Sequence, residues 1–240
     1  MEFFGQAIAY LFDPSHYGGE NGIDTRTVEH IGFSLLVLLI AAVIAVPVGY
    51  AIGHTGKGRF LVVALSGGVR ALPTLGLLIL LALWLGIGTE APLIALVVLA
   101  IPSTLAGAYA GFEAIDRKTV DAAKAIGMTG WQILTKVEIP LGLPLLIGGI
   151  RASSLQVIAT ATLVDYVGGG GLGHFIFLGV QTAHYEITLA GSIVVILLAF
   201  ASEGVFSALE RLVVPTGVRA GRRLQDVRTR PSRSRAATGS

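Results

Sequence analysis

The sequence predicts an all-α, polytopic membrane protein with about five transmembrane helices. Hydrophobic residues make up 53% of its 240 residues, and charged residues make up only 13%, compared with roughly 25% in soluble domains. The apolar residues also occur in long runs, and about 20 apolar residues let a helix cross the hydrocarbon core of a bilayer. A typical soluble protein is excluded, because so few charged side chains could not give its core a polar surface.

The hydropathy pattern divides the chain into spans and connections. The predicted spans cover residues 31–52, 60–87, 92–112, 141–166 and 187–211. Residues 1–30 form an acidic, external N-terminal segment in this interpretation. The second span contains Pro73, where it either bends or splits into two segments. The third span carries Gly107 and Gly111 at the GxxxG spacing, which permits close helix approach in a membrane. Residues 213–240, rich in Arg, Ser, Gly and Ala, are expected to be a disordered cytoplasmic tail.

The positions of Lys and Arg predict the orientation, because basic residues beside the spans are retained in the cytoplasm. The connection at residues 53–59, the segment at 116–139 and the tail all contain basic residues. The connections at 88–91 and 167–186 contain none. This alternation predicts an external N-terminus and a cytoplasmic C-terminus for the five spans.

The cytoplasmic segment at 116–139 is predicted to form two short helices that meet at a glycine. Gly127 is suited to end the first helix, because glycine enters the left-handed region without a Cβ penalty. Thr129 and Gln132 have the spacing of a capping box at the start of the second helix.

The second helix is expected to carry Trp131, Ile133 and Leu134 on a water-facing surface. Two interpretations are open on physical grounds. The segment is either an amphipathic loop lying on the bilayer surface or a docking surface whose exposed apolar residues meet a partner.

The order of residues in this segment resembles the EAA motif of permease subunits of binding-protein-dependent ABC importers: EAA, three residues, G, nine residues, I-x-L-P. The matching positions are Asp121, in place of the usual Glu, Ala122, Ala123, Gly127 and the stretch Val137-x-Ile139-Pro140. The resemblance extends from the first span to the fifth and implies the methionine-permease-like fold. The stretches RALPTLG (70–76), GMTGWQIL (127–134) and ATATLVDYVGGGGLG (159–173) look most like permeases for the osmoprotectants glycine betaine, carnitine and choline.

The resemblance implies a coupling helix that docks on a separate ATP-binding subunit. Its residues would be Asp121, Ala122, Ala123, Gly127, Trp131 and Leu134. An external solute-binding protein, a second permease copy or paralogue and the lipid of a bacterial inner membrane are the other implied partners. The glycine-rich stretch at 168–173 would form an outward re-entrant loop.

The chain itself is expected to be a transport subunit without its own ATP site. The stretch GHTGKG, residues 53–58, lacks the first glycine of a P-loop and the Ser or Thr that follows its Lys. No catalytic residues, metal site, cofactor or nucleic-acid partner are predicted. The alternatives are a stand-alone secondary transporter or channel, or an ABC permease for another small solute such as an amino acid.

Charged and aromatic residues within the predicted spans are candidates for the translocation pathway. These candidates are Arg70, Arg151, Trp84, Tyr109 and Tyr166. A charge within a bilayer costs about 2.5 to 3.5 kcal/mol, so the arginines should face the protein interior or a cavity. Ion pairing with Asp165 or Glu203, or snorkelling to the membrane surface, is the alternative for the charges. Membrane anchoring is the alternative for the aromatic residues.

Overall fold

The computed structural model describes residues 2–213, except for the side chains of residues 61, 63 and 65. Its helices are α1 (Glu2–Phe12), α2 (Ile23–Thr55), α3 (Arg59–Arg70), α4 (Thr74–Leu85), α5 (Glu90–Glu113), α6 (Arg117–Ala125), α7 (Gly130–Ile133), α8 (Ile139–Thr160), α9 (Gly173–Thr182) and α10 (Tyr185–Val213). A π-helical turn (Leu134–Glu138) joins α7 to α8, and a 3-10 turn (Ala161–Val167) extends α8. The described residues contain no strand. The predicted tail lies outside them except for Val213.

Four helical segments are long and apolar enough to cross a membrane. They are Ile23–Thr55, Glu90–Glu113, Gly130–Val167 and Tyr185–Val213. The second predicted span is divided between α3 and α4, with the break at residues 71–73. Pro73 supports this break, because proline has no N–H to continue the backbone hydrogen bonding of a helix. The all-α membrane fold predicted from the sequence is therefore confirmed.

The central element is α5, which contacts α2, α3, α4 and α8. In its most apolar stretch 61% of the residues are buried, compared with 22% in α2 and 17% in α10. The main apolar core lies between α2, α5 and α8 and includes Val37, Leu96 and Val157. The outward faces of α2 and α10 remain apolar, as expected of helices whose solvent is lipid.

Glycines bring α5 and α8 together. A Cβ atom on Gly107 would lie 2.6 Å from the Cα atom of Gly149, and one on Gly111 would lie 2.6 Å from the carbonyl oxygen of Gly142. Neither position can hold a larger residue without moving a backbone. The GxxxG spacing in the third predicted span therefore does mark a close helix contact.

The N-terminal segment contains a helix that the hydropathy pattern did not reveal. Helix α1 packs against α10, with the ring of Phe3 5.8 Å from that of Tyr185. After it, α2 begins at Ile23, whereas the predicted span begins at residue 31. The first turns of α2 are polar, so a search for apolar runs cannot find them.

The glycine-rich stretch is held by these polar first turns of α2. The backbone N–H of Gly171 donates to Glu29 Oε2 at 3.1 Å, and that of Leu172 donates to His30 Nδ1 at 3.4 Å. His30 Nε2 lies 3.0 Å from the carbonyl oxygen of Ile158 at the other side of the loop. The loop is short, because α9 begins at Gly173 and packs against α10.

Candidate functional site

The two helices expected between residues 116 and 139 are present as α6 and α7. Asp116 caps α6 by accepting a hydrogen bond from the backbone N–H of Lys118 at 3.0 Å. Gly127 follows α6 with a φ of 82°, and the backbone N–H of Met128 donates to the carbonyl oxygen of Ala123 at 3.2 Å. The left-handed glycine turn predicted from the sequence is confirmed.

A capping box fixes the start of α7. The backbone N–H of Gln132 donates to Thr129 Oγ1 at 3.3 Å, and the backbone N–H of Thr129 donates to Gln132 Oε1 at 2.9 Å. This reciprocal pair satisfies two helix donors and sets the direction of the chain. The predicted capping box is confirmed.

An exposed apolar surface results from these two turns. Ile126 is 80% exposed and Trp131 is 72% exposed. We call Asp121, Ala122, Ile126 and Trp131, all of which are exposed, the coupling surface. Asp121 also pairs loosely with Lys124, at 3.6 Å between Oδ1 and Nζ.

Other residues of the segment point inward. Ala123 and Ile133 are buried, and Leu134 is half-buried. The prediction that Ile133 faces water is therefore wrong. Successive residues of a helix point about 100° apart, so a single turn cannot place Trp131, Ile133 and Leu134 on one face.

A partly buried hydrogen bond ties the segment to α2. Glu138, in the π-helical turn, is 7% exposed, and its Oε2 atom lies 2.5 Å from His54 Nδ1 in the last turn of α2. Sequence reasoning missed this pair. The available signal was a glutamate directly before the apolar start of α8, where an unpaired charge is costly.

A cleft of about 470 Å³ opens beside the coupling surface. Its polar lining includes His54, Arg59, Tyr109, Glu113, Asp121 and Glu138. Arg59 pairs with Glu113 at 2.8 Å, and its guanidinium carbon lies 6.0 Å from the centre of the Tyr109 ring. The cleft therefore separates α6 from the ends of α2 and α5, and it contains charges of both signs.

The five candidate pathway residues do not converge on one site. Tyr109 lines the cleft, whereas Trp84 is 80% exposed on α4. Tyr166 lies outside the cleft lining, with its ring 5.5 Å from that of Phe177. Arg151 forms an ion pair with Glu203 on α10, which is the structural interpretation offered for it above.

Arg70 is the last residue of α3 and is exposed. Its Nη2 atom lies 3.5 Å from Ser103 Oγ. It has no acidic partner among the described residues.

These features are those of a polytopic membrane protein with a short helical segment that exposes apolar side chains. Residues 31–215 match the family of binding-protein-dependent transport system inner membrane components, and the chain belongs to this family. It is therefore a permease subunit of the ABC importer class. Such a subunit is the membrane component and has no ATPase site of its own.

Relatives within the family share most of the chain. The chain is 35% identical over 193 residues to the glycine betaine/carnitine/choline transport system permease protein OpuCB of Bacillus subtilis, covering 80% of this chain and 89% of that protein. It is 33% identical over 205 residues to the carnitine transport permease protein OpuCB of Listeria monocytogenes, covering 85% and 94%.

Solved structures show the same fold. The inward-facing MetNI methionine ABC transporter superimposes with a TM-score of 0.70 at 22% identity, over 80% of this chain and 96% of that one. The methionine-permease-like fold expected from the EAA-type motif is confirmed.

Proposed function

We propose that this chain is the permease subunit of an importer for quaternary ammonium osmoprotectants of the glycine betaine, carnitine and choline type. The names of the two bacterial relatives support this cargo class. Membership of a binding-protein-dependent family supports an external solute-binding protein and a separate ATPase as partners. It also argues against a stand-alone secondary transporter or channel, because such a protein would need neither a solute-binding protein nor an ATPase.

The proposed docking site for the ATPase is the coupling surface, and the observation that carries it is the exposure of Ile126 and Trp131. Large exposed apolar side chains on an otherwise polar segment are typical of a protein interface. The glycine turn and the capping box hold these side chains in fixed positions, which reduces the entropy lost on docking. In the proposed orientation this surface is cytoplasmic, where ATP is available.

The chain contains two tryptophans, and they provide a matched test of docking. Trp131→Ala should weaken ATPase binding by about thirtyfold and so lower the ATPase retained on the purified permease, because a central tryptophan commonly contributes about 2 kcal/mol to an interface. Trp84→Ala removes an equally exposed tryptophan from α4 and should leave ATPase retention unchanged. Retention that is normal in both variants would assign docking to another surface while leaving the family assignment intact.

The cargo class has its own test. Cells that depend on this importer should take up glycine betaine or choline faster after a hyperosmotic shift. The solute-binding protein that works with the permease should bind quaternary ammonium compounds in a titration. A binding protein that bound methionine and ignored quaternary ammonium compounds would contradict the proposed cargo, but it would leave the permease role standing.

A further inference from the structure

The break between α3 and α4 lies about halfway along α5, a helix long and apolar enough to cross a membrane. Helix α3 begins at Arg59, which pairs with Glu113 at the end of α5, and α4 leads through a short turn into the start of α5. The two short helices therefore run antiparallel to α5. At the break, Arg70 meets Ser103, which lies about 20 Å along the helix from Glu90 and about 15 Å from Glu113.

Lipid cannot cover this region. Arg70 and residues 71–73 are exposed, and so are Gly67 and Gly68, which have no heavy atom within 4 Å of an added Cβ. A guanidinium and a break in helical hydrogen bonding are both costly in hydrocarbon, and such features occur where they face protein or a water-filled cavity. This face therefore borders another protein chain or a water-filled cavity, and not lipid.

The hydrogen bonds around Arg70 leave most of its donors free. Arg70 Nη2 donates to Ser103 Oγ, and the Ser103 hydroxyl in turn donates to Gln156 Oε1 at 3.2 Å. Gln156 Nε2 donates to the carbonyl oxygen of Leu99 at 3.2 Å. This chain anchors the guanidinium through one of the five N–H donors that an arginine carries. The other donors have no hydrogen-bond partner among the described residues, and the side chain is exposed.

An identical second copy of the permease would bring no free carboxylate to this depth. Most acidic residues within the described spans have basic partners: Glu138 with His54, Asp165 with His174, and Glu203 and Glu210 with Arg151. Asp24 and Glu90 have none, but they lie in the first turns of α2 and α5, at the ends of those helices. An anion that pairs with Arg70 would therefore come from outside the permease, as the carboxylate of a transported solute would.

We propose that Arg70 binds the carboxylate of a zwitterionic cargo at the middle of the pathway and so favours betaines over choline. This inference rests on the proposed function, because it selects among the members of that cargo class. Arginine forms paired hydrogen bonds with a carboxylate. Choline carries the quaternary ammonium without a carboxylate, so the guanidinium only repels it.

The test compares two cargoes in the complete importer, reconstituted in liposomes with its ATPase and binding protein. Initial uptake rates of glycine betaine and choline are measured at saturating concentrations. Arg70→Gln should lower the betaine rate about tenfold, the effect of losing one charge-assisted contact, and the choline rate should stay the same or rise. Arg70→Lys keeps the charge but loses the paired hydrogen bonds, so it should retain only part of the betaine preference.

Lys57→Gln provides the control, because it removes one positive charge from an exposed turn and should change neither rate. Equal loss of both cargoes in Arg70→Gln, an unchanged betaine-to-choline ratio, or an Arg70→Lys variant that behaves like Arg70→Gln would each overturn the role of Arg70. A wild-type importer that moves choline and excludes betaine would overturn it as well. Failure of the wild type to move either compound would instead overturn the proposed function.

Discussion

At the scale of single residues, Gly127 determines the direction in which α7 leaves α6. Its φ of 82° is in the left-handed region, and no heavy atom lies within 4 Å of an added Cβ. A side chain at this position would therefore meet no steric obstacle. The stability lost on substitution would come entirely from the left-handed backbone conformation. That cost is about 1 to 2 kcal/mol for an ordinary residue, and β-branched residues tolerate the conformation poorly.

Gly127→Val should therefore misdirect the coupling surface without preventing membrane insertion. Uptake and cargo-stimulated ATP hydrolysis should fall together by about tenfold, the equivalent of roughly 1.4 kcal/mol. Both are measured on the reconstituted importer. Gly130→Val is the matched control, because Gly130 has an ordinary helical φ and equally open surroundings. Full uptake by Gly127→Val would mean that the turn does not orient the docking residues.

At the scale of the elements, the contact between α5 and α8 depends on glycines, whose lack of a side chain lets the two backbones approach closely. Gly107 lies against Gly149, and Gly111 lies against Gly142. In a membrane the lipid is as apolar as the helix surfaces, so the hydrophobic effect does not drive helix association. Association depends instead on close packing and hydrogen bonds. Ser153 adds one such bond, from its hydroxyl to the carbonyl oxygen of Ala100 at 3.2 Å.

Gly107→Ala should destabilise the permease by about 1 to 3 kcal/mol, the usual cost of overpacking. A Cβ at this position would lie 2.6 Å from the Cα atom of Gly149 and 2.8 Å from the carbonyl oxygen of Leu145. The effect is measured as a lower melting temperature of the detergent-solubilised protein. Gly148→Ala is the control, because nothing lies within 4 Å of a Cβ there. Equal melting temperatures for the two variants would contradict the role of the glycine contact.

The helices also show which features of the fold could be predicted from the sequence. Hydropathy identified the membrane-crossing parts of α2, α5, α8 and α10, because a helix surrounded by lipid must be apolar over its whole crossing length. It could not identify their ends, since α2 continues through the polar turns between Ile23 and Glu29, where the helix leaves the apolar region. It also missed α1 and α9, which are shorter than a membrane span.

The coupling segment was more predictable than the cleft beside it. The glycine turn and the capping box depend on neighbouring residues, so their spacing in the sequence is sufficient evidence. The bond between His54 and Glu138 joins residues 84 positions apart, and Arg70 meets Ser103 across 33 positions. Such pairs depend on the packing of whole helices, and no local pattern contains that information.

At the scale of the whole molecule, the orientation of the chain in the membrane is predicted from the distribution of its basic residues and not from helix packing. The basic connections and the basic tail alternate with connections that contain no Lys or Arg. A reporter fused after Ser240 should be cytoplasmic, and a reporter inserted near Glu20 should be external. Protease protection and alkaline phosphatase activity measure the two positions. An external Ser240 reporter would place the coupling surface away from ATP and contradict the proposed docking role.

The long segment Gly130–Val167 contains the capped turn at one end and reaches the glycine-rich loop at the other. It is helical throughout, at roughly 1.5 Å per residue for most of its length, and Gly149 touches α5 near its midpoint. The segment is also tied to α2 at Glu138 and to α5 at Gly142 and Ser153. No non-helical residue interrupts it between Gly130 and Val167. The surface that carries Trp131 and the glycine-rich loop are therefore the two ends of one continuous element, and we expect a displacement at one end to be passed on to the other instead of being absorbed by a flexible linker.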